Sequence, residues 1–158
     1  VGAAVSIRVS NFYGRGDLLG VRRATLAGTH LLAMLAITVS LFFLLVRGHI
    51  GWLYTSSEEV VDLVAVLMVI LVFYQFGDSL QIIFANALRG VADVTSMAVI
   101  SFIGYFVIAL PVSYICGFVL NGGIEGIWVG YPVGLTLTGA MLCWRFYYFL
   151  RKRKHSKF

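Results

Sequence analysis

Charge is scarce in this sequence. Only 12% of its 158 residues are Asp, Glu, Lys or Arg, and just seven are acidic. A soluble domain carries about a quarter charged residues, so a water-facing surface over most of the chain is excluded. Cysteine is scarce as well. Cys116 and Cys143 fall in different apolar runs with no partner spacing, which makes them packing residues. His30, His49 and His155 are scattered, and His30, inside an apolar run, reads as a hydrogen-bonded structural residue. The two prolines, Pro111 and Pro132, both lie inside apolar runs, where each predicts a bend or a locally opened hydrogen bond. A phosphate loop is absent, since Gly14-Arg15-Gly16-Asp17 lacks the Lys-Ser/Thr ending such loops need.

What is abundant is apolar sequence: 60% of residues are hydrophobic and the mean hydropathy is +0.93. This is the composition of a polytopic membrane protein. A spanning helix needs about 20 mainly apolar residues, and four stretches qualify: 24–46, 63–88, 96–120 and 126–150. Backbone groups in lipid must be satisfied internally, which makes these runs helices. Residues 1–7 read as the end of a preceding helix. No cleavable signal precedes the first run, and the chain opens on Val1. It is therefore expected to be part of something longer.

Basic residues set the expected orientation. Arg8, Arg15, Arg22 and Arg23 lie in a loop at 8–23, Arg89 in a turn at 89–95, and Arg151, Lys152, Arg153, Lys154 and Lys157 in a tail at 151–158. With Arg145 snorkelling toward the same side, eleven cations share one face. The other face, formed by loops 47–62 and 121–125, has Arg47 beside Glu58, Glu59, Asp62 and Glu125. Both ends are thus expected to be cytoplasmic, with the basic tail against anionic lipid, and a nucleic-acid partner is not needed to explain the charge. Trp52 and Tyr54 fit an interfacial aromatic belt. In the first loop Gly14, Gly16 and Gly20 are expected to interrupt helix, with Asp17 capping a short surface helix. Ser57 followed by Glu58 and Glu59 reads as a helix start.

The second run carries one charge, Asp78, within Phe73-Tyr-Gln-Phe-Gly-Asp-Ser-Leu-Gln81. On a helix advancing about 100° per residue, with Asp78 at zero, Tyr74 lies at about −40°, Gln75 at about +60°, Gln81 at about −60° and Asn86 at about +80°. Phe76, Leu80, Ile83 and Phe84 fall on the opposite side. The span therefore has a polar face centred on Asp78, and such a face belongs against other helices or a wet cavity. A buried carboxylate persists by being protonated, by pairing with a base or by binding a cation. No base in these runs lies at its depth, because Arg89 and Arg145 are near the helix ends. What remains is an acid that exchanges H⁺ or Na⁺, as an ion-coupled transporter requires, or a protonated Asp that only packs helices. An intramembrane aspartyl protease is disfavoured, since it needs two carboxylates sharing a proton.

Several segments resemble a known family. Ser6, Arg8, Val9, Asn11, Gly14 and Gly16 fit the pattern S-x-R-V-x-N-x-x-G-x-G after the eighth helix of multidrug and toxic compound extrusion (MATE) transporters of the NorM type. Asp78, Gln81, Arg89 and Gly90 are similar to their tenth helix. Pro111, Gly126, Ile127, Trp128 and Gly130 are similar to the eleventh and twelfth. The resemblance implies an all-α membrane fold of twelve helices in two lobes, of which this chain covers helices nine to twelve and the end of eight. It implies export of organic cations and drugs in exchange for Na⁺ or H⁺, with no enzyme activity and no cofactor beyond the transported ion. It also implies that Asp78 is the ion-coupling residue (a Na⁺ ligand in a sodium-coupled member), sharing its site with an acid on the seventh helix, which the missing N-terminal part would supply. Tyr74, Gln75, Gln81 and Asn86 are then expected to line the cavity, and Arg8, Arg15 and Arg89 to act as cytoplasmic gates or anchors. A lipid-linked oligosaccharide flippase of the same superfamily is the alternative, although the spans lack a mid-depth arginine for pyrophosphate. A non-transporting membrane scaffold would not need the polar face.

Overall fold

A computed structural model describes residues 1–155, and all its regular elements there are helices. Helix α1 runs Gly2–Gly14, α2 Leu18–Val46, α3 Glu58–Gly90, α4 Val94–Val119 and α5 Gly123–His155. The last four are long and apolar enough to cross a membrane. A short 3₁₀ turn, Ile50–Leu53, lies between α2 and α3.

The helix ends follow local chemistry. The α1 helix runs on to Gly14 rather than ending near residue 7, because Val9 is fully buried and the Ser10 and Asn11 side chains bond back to the Ile7 carbonyl. Arg8 therefore sits on a helix, and the expected loop over 8–23 shrinks to Arg15–Asp17. Asp17 does cap α2, its carboxylate accepting the Gly20 N–H at 2.8 Å. The capped helix is no short surface piece but the start of the first span. Gly20 does not interrupt it; this glycine is buried where α2 meets Phe12. Glu58 and Glu59 occupy the first turn of α3, where negative charge suits the helix dipole. That helix closes through Asp93 N–H on the Leu88 carbonyl at 2.9 Å, with Ala92 left-handed at φ 63°. The basic segment after residue 150 continues α5 as helix to His155. Lys157 of the expected tail lies outside the described residues.

The fourth helix departs from α geometry on both sides of Pro111. Ile103–Ala109 and Ile115–Val119 are π-helical, with Leu110–Tyr114 between them. Proline has no N–H to give the carbonyl four residues back, and local π adjustments are one way a membrane helix re-satisfies the freed backbone group. Pro132 lies inside α5.

The core is concentrated at one end of the bundle. Val5 and Val9 of α1, Val21 and Ala24 of α2, Ile83, Phe84 and Leu88 of α3, and Leu142 and Phe146 of α5 form one cluster. Beyond it Ala36 and Ser40 of α2 stay buried, while Met34, Ile37, Phe42 and Leu45 on its other faces are exposed. Two close approaches fix how α5 meets its partners. Gly126, Gly130 and Gly134 form a stripe against α4, where a Cβ would meet Cys116, Ser113 and Ala109 in turn. A Cβ on Gly77 of α3 would lie 3.0 Å from the backbone nitrogen of Thr136. Small residues at such crossings let helices pack backbone to backbone in lipid. The Gly77→Leu substitution is expected to push α3 off α5 and to cost about 1–3 kcal/mol, as overpacking does. A lowered thermal unfolding midpoint in detergent checks it, and an unchanged midpoint would mean that the crossing is not tight.

Candidate functional site

Asp78 is half-buried on α3, about one helical turn from the packed core. Glycine at 77 lets α5 approach on one side, and Ser79, on the other, bonds its hydroxyl back to the Gln75 carbonyl at 2.8 Å. Neither neighbour contests the carboxylate. Among the described residues no Lys, Arg or His pairs with Asp78; the ion pair they contain is Arg145–Asp93.

Side chains of α4 and α5 meet this polar face of α3 on either side of the carboxylate. Tyr74, one turn earlier on α3, lines a concavity together with Tyr131 of α5. Gln81, three residues after Asp78, donates its amide nitrogen to the Tyr105 hydroxyl at 2.6 Å. Its amide oxygen is buried and accepts no hydrogen bond. A buried amide oxygen without a donor is costly, and a cation or a donating ligand beside it removes that cost. This face thus presents one carboxylate, one free amide oxygen and, along its length, three phenols. Such hard oxygens suit H⁺, Na⁺ or an organic ammonium, and phenol rings add cation–π attraction. The concavity that Tyr74 shares with Tyr131 has a volume of about 470 Å³ and is also lined by Leu71, Ile127 and Trp128. Among the described residues no three of His, Cys, Asp and Glu come together.

Of the other polar-face residues, Asn86 is turned elsewhere. Its amide bonds the Ile82 carbonyl at 2.8 Å and it accepts from Arg89 at 3.4 Å, beneath the start of α1. The Gln75 side chain makes no hydrogen bond among the described residues. On the opposite side of α3, Ile83 and Phe84 are buried in the core. Phe73 and Phe76 line an almost wholly apolar groove with Val129, Pro132 and Val133, which offers nothing to a charge.

Arg8 and Arg15 are exposed and make no side-chain hydrogen bond or ion pair among the described residues, and Arg89 contacts Asn86 alone. Asp17 is occupied as a helix cap. Asp93 is held by Arg145, whose Nε and one terminal nitrogen both lie 2.8 Å from the same carboxylate oxygen. That pair, and the contribution of Tyr105 and Tyr131, were missed in the sequence. A tyrosine inside an apolar span is a signal, but Tyr105 shares its span with Tyr114, and Tyr131 with Tyr147 and Tyr148, so it does not single out these two phenols.

The MatE family model matches residues 1–115. The fold is similar to an inward-facing multidrug resistance MATE family transporter of the MOP superfamily, with a TM-score of 0.88 and 15% identity. It is also similar to the eukaryotic MATE transporter AtDTX14, with a TM-score of 0.83 and 24% identity. Each similarity covers 98% of this chain and 36% of the solved one. The chain thus spans about a third of the length of these structures.

Proposed function

The chain belongs to the MatE family, and from that premise we propose that the protein it forms part of is a cation-coupled antiporter that exports organic cations. The observation that carries this reading is a half-buried Asp78 with no basic partner among the described residues, on the same face of α3 as Tyr74 and as Gln81, whose amide oxygen is unbonded. In one state the carboxylate holds H⁺ or Na⁺. In the other it faces an organic cation, with the phenols supplying ring faces. Where both cations need the Asp78 carboxylate they compete for it, which is what exchange requires. A second acid from outside this chain, as the resemblance implies, would complete the ion site. No covalent step is part of this reading, and no enzyme activity is proposed.

The experiment is transport by the protein containing this chain in sealed proteoliposomes. A Na⁺ or H⁺ gradient is imposed and movement of a fluorescent cationic dye such as ethidium is followed. Dye should move against its own gradient and stop when the ion gradient is collapsed. Movement that ignores both gradients overturns coupling, and transport of an anionic pyrophosphate-linked lipid with no dye movement would favour a flippase.

We further propose a multi-pass placement in the cytoplasmic membrane with both ends of this chain inside, resting on the eleven-to-one distribution of cations. With Cys116 and Cys143 replaced by serine, His155→Cys should resist an impermeant thiol reagent in intact cells, while Tyr54→Cys should react. The reverse pattern refutes the orientation.

A further inference from the structure

We propose that the cleft between the start of α2 and the end of α5 is a binding site for the phosphate headgroup of an anionic lipid. Arg22 of α2 and Arg151 and Lys154 of α5 line one pocket of about 580 Å³, together with Leu18, Tyr147 and Leu150. No carboxylate is among the lining residues, and none of the three cations has an ion-pair partner among the described residues. Three like charges held around one pocket repel each other, and an anion seated between them removes that cost. The cations thus ask for an anionic ligand.

The choice of a lipid follows from the rest of the lining. Leucine side chains and the Tyr147 ring adjoin the cations, so the pocket is apolar on one side and cationic on the other. It sits where two membrane-spanning helices end, the depth at which headgroup phosphates and the first acyl carbons lie. Basic pockets between transmembrane helices are known to take anionic headgroups. The volume falls in the range of small-molecule sites and exceeds what a bare phosphate ion fills. Neighbouring contacts keep the α5 side of the pocket in place. The Arg153 guanidinium stacks 5.8 Å from the Tyr13 ring and 5.7 Å from Phe149, tying the end of α5 to α1, and the buried Phe146 anchors the preceding turn. This site lies apart from the Asp78 cluster and stands or falls independently of the transport reading.

The test is native mass spectrometry of the full protein taken from nanodiscs of phosphatidylcholine containing phosphatidylglycerol. The unsubstituted protein should retain phosphatidylglycerol over phosphatidylcholine. The Arg22→Gln/Arg151→Gln variant should bind it about fivefold more weakly per cation removed. The Arg23→Gln/Lys152→Gln variant removes the same charge from neighbouring positions outside the pocket and should retain the lipid nearly as well. Equal losses in the two variants would mean diffuse surface attraction and overturn the site. So would equal retention of both lipids, or displacement by inorganic phosphate at the same concentration, which would make free phosphate the occupant. Should the double variant fail to fold, Lys154→Gln alone must weaken retention by a similar single step, and no change there overturns the proposal.

Discussion

Substitution of Asp78 by Asn in the complete protein is expected to leave membrane insertion intact and to abolish coupled export. Asparagine keeps the shape and one hydrogen-bonding oxygen but neither titrates nor carries charge. The three phenols and Gln81 would remain, so an organic cation still has ring faces to meet, but no group would exchange it for H⁺ or Na⁺. The rate of gradient-driven dye movement should fall by about two orders of magnitude, the loss typical when a positioned proton-transfer group is removed. Tyr105→Phe is the companion measurement. It deletes the hydroxyl that accepts from Gln81 and leaves the carboxylate, so export should slow yet remain coupled. Wild-type export by Asp78→Asn, at normal protein level in the membrane, would remove the carboxylate from the mechanism.

The polar face is legible in the sequence because it lies on one helix. Helical periodicity alone puts Tyr74 and Gln81 beside Asp78, and the structure bonds Gln81 to Tyr105 of α4 and sets Tyr74 in one concavity with Tyr131 of α5. Periodicity could not do the same for Tyr105 and Tyr131. Their rotation depends on how α4 and α5 turn about their own axes, and that is set by the glycine stripe of α5 and the π-helical turns of α4. Asn86 shows the opposite error. At about +80° it lies on the same face of the wheel, but two turns below Asp78 the face is covered by α1. A wheel discards height along the axis, and height decides which polar residues meet.

The four spans are legible for a different reason. Hydropathy over about 20 residues is a sum that tolerates local mistakes. Helix ends are not sums. Gly20 reads as a breaker in isolation, yet it is needed where α2 passes Phe12, and a residue's propensity is weak against tertiary packing. The cytoplasmic arginines pose the hardest problem. Asp17 and Asp93 are the acids nearest in the chain to Arg8, Arg15 and Arg89, and proximity in sequence suggests them as partners. Asp93 instead takes Arg145 from 52 positions away, a partner no local pattern indicates.

That pair is expected to be a main tie between the end of α5 and the turn joining α3 to α4. Its side chains are only 30% and 13% exposed, so it is neither a surface pair worth about 0.2–1 kcal/mol nor a fully buried one whose breakage costs about 3–5 kcal/mol. Removing either partner, as Arg145→Met or Asp93→Asn, should destabilise the protein by about 1–3 kcal/mol, the scale of a hydrogen bond to a charged group. The doubly substituted protein should lose less than the sum of the single losses, because each single variant leaves the other group half-buried without its partner. Arg145→Lys separates charge from geometry. Two guanidinium nitrogens reach one oxygen of Asp93 at 2.8 Å, and an ammonium places one nitrogen there, so lysine should recover part of the loss. Thermal unfolding in detergent reads all four variants. Additive losses would show that the pair contributes no coupling, and full recovery by lysine would show that positive charge alone, not the double contact, holds the turn.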